Sequence, residues 1–306
     1  MRHLSVILFI FMISGFLAAP QANALPAGPP LDQCVDFSLE NDLQRCLLTL
    51  GLDRAAREKS LGVALVDMTD ETSPRLATVN GDLMMYAASL PKIAILLGAY
   101  EKAAEGRLTL TEKIRDKLTQ MIRHSSNRAA TEMLQLVGEP YLAHVLQSER
   151  YKLYNPDKNG GLWVGRGYSK APVWKRDPLH HISHGATPFE VARFYYLLET
   201  GRLISPDFSL QMKDILGETA IHHKFVKGLE KARRPSLIYR KSGTWQEYHA
   251  DSAIVERGDH RYIAVALARS PEGESWLQKL IVALDDLIYR PEPIRILASR
   301  PDNTIQ

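Results

Sequence analysis

Leucines 39, 43, 47 and 50 recur at three- and four-residue intervals and draw one apolar stripe along a helix over about residues 36–50. LGVALVDM (61–68) is an unbroken apolar run of strand length, TDETSP a turn, and RLATVN a second strand. An apolar helix begins near Ser89, runs to about Glu105 and stops at Gly106. TEKIRDKLTQMIR, RAATEMLQLV and TPFEVARFYYLLETG are amphipathic helices, the last with Pro188 in its first turn and Gly201 at its end. Residues 150–186 show no such period. They are rich in Gly, Tyr, Trp and His, and a loop of that length in a compact domain is usually functional. The pattern then returns to strands. SLIYRKSGTW, YHADSAIVER and RYIAVALAR follow one another, the last two joined by a tight hairpin at Arg257–His260, and ESWLQKLIVALDDLIY closes as a helix. Strands at both ends with helices between predict an α+β fold: an antiparallel sheet built from both termini, flanking helices, and an inserted, mostly helical part.

The first 24 residues fall outside that pattern. Arg2 and His3 precede an apolar run from about Leu4 to Ala19, and Ala22-Asn23-Ala24 supplies a small-x-small cleavage site. A signal peptide cut after Ala24 is expected, hence export to the periplasm or beyond and no membrane attachment after cleavage. Residues 25–58 are then a leader and a helix. Residues 59–306 form the main domain, with an α/β part at 59–106 and 207–306 and a helical part at 107–206. A formal charge of +3 over 306 residues gives no basic footprint for nucleic acid. Cys34 and Cys46 are the two cysteines, and in an exported chain a disulfide closing that small loop is expected over two buried thiols.

Three short motifs change the picture. In Ser89-Leu90-Pro91-Lys92 the serine and lysine stand at i and i+3, on one helical face. A buried lysine loses its proton readily and can take one from a serine hydroxyl. The helix N-terminus offers N–H groups to an oxyanion. Alone, this motif reads better as an N-cap serine and a snorkelling lysine. Ser125-Ser126-Asn127 sits between two helices, where N-caps belong. Lys241-Ser242-Gly243 ends a strand, where a solvent-facing lysine and a glycine bulge are the ordinary explanation.

Together and in this order, on these elements, the three motifs resemble those of the penicillin-recognising serine hydrolases, in particular class A β-lactamases and penicillin-binding proteins. The resemblance spans nearly all of the chain after residue 24. It implies Ser89 as acylated nucleophile, Lys92 as its proton acceptor, Ser125 as the hydroxyl that passes a proton to the leaving nitrogen, and Lys241 as the cation beside Ser125. It implies substrate contacts from Asn127, Ser242, Gly243 and Thr244, with the N–H groups of Ser89 and Thr244 as oxyanion donors. The implied partner is a small molecule, a β-lactam or cell-wall-peptide-like compound, acted on by a monomer with no cofactor and no metal.

The chain departs from class A in several places. Ser126 replaces the aspartate of the second motif, serine replaces threonine in the third, and only 36 residues separate Ser89 from Ser125. Between residues 139 and 190 no acid has an Asn four positions on, so the Glu-x-x-x-Asn that activates the deacylating water in class A is missing. Asp177 is the surrogate candidate. His180, His181 and His184 offer a base or, less readily, a metal site, against a plain role in shaping the loop. Trp163 and Trp174 line the site or pin the loop to the core. The expected activity is a serine hydrolase forming a Ser89 acyl-enzyme with inefficient β-lactam turnover. The alternatives are a D-Ala-D-Ala peptidase or esterase, and a binding module that keeps the fold without catalysis.

Overall fold

A computed structural model describes residues 28–168 and 172–289; the leader and its cleavage site lie outside the described residues. Helix α1 (Phe37–Thr49) is capped by Asp36, whose carboxylate accepts from the N–H groups of Ser38 and Leu39. After α2 (Asp53–Arg57) come β1 (Leu61–Asp67), β2 (Arg75–Val79) and β3 (Met85–Tyr86). The helical middle comprises α3 (Lys92–Ala104), α4 (Glu112–Arg123), α5 (Asn127–Val137) and α6 (Glu139–Gln147). The segment without sequence period contains four very short strands: β4 (Tyr154–Asn155), β5 (Gly160–Gly161), β6 (Trp163–Val164) and β7 (His184–Ala186). Then follow α7 (Pro188–Glu199), α8 (Pro206–Leu216), α9 (Phe225–Lys231), β8 (Leu237–Trp245), β9 (Tyr248–Arg257), β10 (His260–Arg269) and α10 (Gly273–Ile288).

The main sheet has the order β2-β1-β10-β9-β8 and is antiparallel throughout. β1 pairs with β10 from Leu61↔Ala268 to Asp67↔Tyr262, which joins early chain to late chain as the strand pattern predicts. β9 and β10 turn through Gly258 and Asp259, with Gly258 at φ 55°. β1 is buried on both faces, which explains its unbroken apolar run. Leu61, Val63 and Leu65 meet α1, α9 and α10, whereas Ala64 and Val66 meet the side of α3 and α7. The sheet is thus covered on both faces, and the second face carries the helical middle.

This layering corrects the disulfide expectation. Cys34 precedes α1 and joins the core on the α3 side, while Cys46 lies in α1 and faces the opposite core. Both residues are buried thiols, not joined to each other.

Candidate active site

The first motif lies in a tight turn between β3 and α3. β3 pairs with β7, and the Ala87 N–H donates to His184 O at 2.9 Å. Ala88 stands at φ 49°, a left-handed conformation that costs an alanine roughly 1 kcal/mol. Strain of this kind persists only where the surroundings impose it, and it collects at functional sites. The helix proper opens at Lys92, later than the sequence pattern suggests, because residues 89–91 form a turn with Pro91 as cap. The Lys92 N–H reaches back to Ser89 O at 3.3 Å.

Lys92 has no exposed surface. Its Nζ donates to Ser125 O at 2.6 Å, Asn127 Oδ1 at 2.8 Å and Ser125 Oγ at 3.3 Å. Burial pulls its ammonium down to about 7. Among the described residues no carboxylate bonds to it. Instead its Nζ faces the ring of Tyr168, 4.6 Å from the centroid.

The second motif joins α4 to α5. Ser125 is itself left-handed, at φ 54°. Ser126 caps α5, its Oγ accepting the Ala129 N–H at 3.2 Å. The ordinary N-cap reading therefore holds for Ser126, while its neighbours on both sides turn inward to Lys92. The third motif lies on β8, the edge strand. Lys241 is buried and donates from Nζ to Ser125 Oγ at 2.9 Å and to Ser242 O at 2.7 Å. Burial, with Lys92, Arg240 and Lys224 nearby, drives the Lys241 ammonium well below its usual range. The backbone of Lys241 is held from behind, since Ser252 Oγ donates to its carbonyl at 2.8 Å and Tyr195 on α7 contacts Ser252 Oγ at 3.1 Å. Gly243 has a steric reason. A Cβ there would lie 2.1 Å from Ala87 O and 2.7 Å from Ser89 N, so only glycine lets β8 press against the Ser89 turn.

Tyr168 and His184, from the long loop, face the site from the remaining side. Tyr168 packs on the His184 ring at 4.2 Å between centroids, and its N–H donates to Thr131 Oγ1 on α5 at 2.9 Å. Its hydroxyl is buried and has no hydrogen-bond partner among the described residues. The aromatic richness of the segment is visible in the sequence, but which ring meets Lys92 is not.

Asp177 has another task than the one expected of it. It is fully buried, and its two oxygens take the Tyr154 hydroxyl at 2.6 Å and the N–H groups of His180, Leu179 and Ile182 at 2.9–3.2 Å. A carboxylate so occupied organises the loop and has no lone pair to spare for activating water. Replacing Asp177 with alanine is expected to cost about 3 kcal/mol by leaving those donors unpaired, measurable by urea unfolding. A variant as stable as the parent would contradict this account.

The His180 and His184 rings engage different partners. The His180 ring contacts Asn159 O and Oδ1, whereas the His184 ring contacts Arg166 O and Ser183 Oγ. Desolvation lowers His184 to about 4, which keeps it neutral. Trp163 is buried against Tyr154, and Trp174 stacks on it from a partly exposed position.

Comparisons with known proteins address the fold and the family. A family profile described as "Beta-lactamase enzyme family" matches residues 38–117 and 113–290. No curated protein is matched. Among solved structures, the β-lactamase of Sphaerobacter thermophilus superposes with a TM-score of 0.63 at 17% identity, covering 84% of this chain and 99% of that one. PBP-A superposes at 0.61 and 18%, covering 83% and 96%. The TLA-3 extended-spectrum β-lactamase superposes at 0.61 and 14%, covering 82% and 98%. At these identities the structural likeness establishes the fold, and the profile match over most of the sequence establishes descent: the chain belongs to the beta-lactamase enzyme family.

Proposed function

We propose that this protein is an exported serine hydrolase that forms an ester on Ser89 with β-lactams or related small acyl amides and releases that ester slowly. The observation that carries the reading is the convergence of Lys92 and Lys241 on Ser125 Oγ beside the Ser89 turn. At a pKa near 7 a large share of Lys92 is neutral at physiological pH. A neutral amine keeps two N–H donors, enough for Ser125 O and Asn127 Oδ1, and one lone pair. That lone pair takes the Ser89 proton as Oγ bonds to the substrate carbonyl carbon. The oxyanion is met by the N–H groups of Ser89 and Thr244. As the C–N bond breaks, the Ser125 hydroxyl gives its proton to the leaving nitrogen and is reprotonated from the lysine pair. Asn127, Ser242 and Gly243 border the substrate.

Slow release is supported by what faces Lys92 from the loop, the ring of Tyr168 in place of a carboxylate. This favours a penicillin-binding type of peptidase or esterase over an efficient β-lactamase. A point mutant of PBP-A, a protein similar in fold, has been solved as an acyl-enzyme complex with penicillin G. The cleavage pattern after Ala24 supports export.

Intact-mass spectrometry with penicillin G tests the reading. The wild type should gain one penicilloyl group that persists for minutes or longer, and Ser89→Ala should gain none. Labelling that survives in Ser89→Ala removes Ser89 as nucleophile, and an adduct lost within seconds removes slow release.

A further inference from the structure

Behind the third motif lies another buried lysine that the proposed chemistry does not use. Lys224 immediately precedes α9 and has no exposed surface. Its backbone stands at φ 49° and ψ −115°, strained for any residue but glycine. Its Nζ donates to Gly243 O at 2.6 Å, Thr244 Oγ1 at 2.8 Å and Ala250 O at 3.0 Å. All three acceptors are uncharged and sit at the closed end of the β8–β9 hairpin. The neighbouring acid, Asp251, is already engaged by Arg240 through two 2.7 Å bonds and by the Phe225 N–H at 3.1 Å. A cation buried against neutral acceptors, on a strained backbone, is costly, and proteins keep such groups where they serve a site.

The acceptors show what is served. The Gly243–Thr244 peptide is planar and trans, so its C=O and N–H point in opposite directions. Lys224 takes the carbonyl oxygen from the α9 side of the strand. The Thr244 N–H therefore leaves on the other side, where Gly243 already crowds Ser89 N. We infer that Lys224 is a positioning residue for the oxyanion hole, clamping the Gly243–Thr244 peptide so that the Thr244 N–H meets the substrate carbonyl together with the Ser89 N–H. The inference rests on the acyl-enzyme reading above. The Lys224 charge also polarises the peptide it holds, which strengthens its N–H as a donor.

Lys224→Met removes both clamp and charge, and Lys224→Gln keeps a donor for Gly243 O but loses the charge. Acylation by penicillin G should slow by about 10²-fold in the first and about tenfold in the second, in line with loss of oxyanion donors elsewhere. The distinguishing readout is the infrared carbonyl stretch of the acyl-enzyme. It should move to higher wavenumber in both variants as the ester loses polarisation, which a change in stability alone does not produce. A folded variant with parental acylation rate and parental stretch overturns the inference. If Lys224→Met fails to fold, the same two measurements on Lys224→Gln decide it. Absence of any adduct in the wild type instead overturns the acyl-enzyme reading.

Discussion

Replacing Lys92 with methionine is expected to slow acylation of Ser89 by about 10³-fold and to make the fold more stable near neutral pH. The two effects share one cause. A lysine in the unfolded chain titrates near 10.4, whereas burial brings Lys92 to about 7 in the fold. Between those values the unfolded chain binds the additional proton, so stability rises with pH across the window. The cost of burying the ammonium is present in full below about pH 7 and is gone above the unfolded value. Methionine fills similar volume without that cost, although it leaves Ser125 O and Asn127 Oδ1 short of a donor. A net gain of about 1–2 kcal/mol at pH 6 is expected, shrinking toward pH 10. In the parent, acylation should rise with pH through about 7, since only the neutral amine accepts a proton. Denaturant melts at both pH values and a pH–rate profile check this. A variant that is destabilised at pH 6 yet acylates normally would exclude Lys92 as the base.

Tyr168→Glu is the second large effect. In the parent, an aromatic face occupies the loop position over Lys92, and the hydroxyl on that ring finds no hydrogen-bond partner among the described residues. A glutamate there would stand beside Lys92 and be able to orient and deprotonate a water molecule, a contribution of about 10²–10⁴ in rate. The lifetime of the penicilloyl ester should therefore fall by about 10²-fold or more. Tyr168→Phe keeps the ring and should leave the lifetime unchanged. Decay of the adduct followed by mass spectrometry separates the two variants. If the glutamate variant releases no faster than the phenylalanine variant, the loop position over Lys92 does not control release.

Much of this was legible in the residues. The strands YHADSAIVER and RYIAVALAR and the helices α1, α4, α5, α7 and α10 announce themselves through long, regular apolar patterns, and the structure finds each within a residue or two. Strands β3 to β7 do not, because two or three residues hold no period and their pairing is dictated by the packed loop. α2, α6 and α9 are short and take their stability from tertiary contacts. The three motifs were visible as strings; their convergence rests on distances across the cleft. Tyr168 and Lys224 carry no sequence signal of their role. One is an aromatic among many, and the other follows two histidines at the start of a short helix. Asp177 shows the opposite failure. As the acid in the right loop it drew attention, yet its hydrogen bonds are those of a structural residue.

The order of the main sheet has a consequence for the newborn chain. Ser89, Lys92 and Ser125 are made early, but Lys241 reaches Ser125 across 116 residues of sequence. β8 enters the sheet through β9, β9 through β10, and β10 by pairing with β1. Long-range pairings of this kind close late in folding. In the proposed chemistry, a ribosome-bound chain that has not yet produced β10 therefore carries Ser89 without Lys241 beside Ser125. Acyl-transfer activity should switch on in a single step with closure of the sheet, so that truncated or stalled products are chemically inert toward the compounds the finished protein takes.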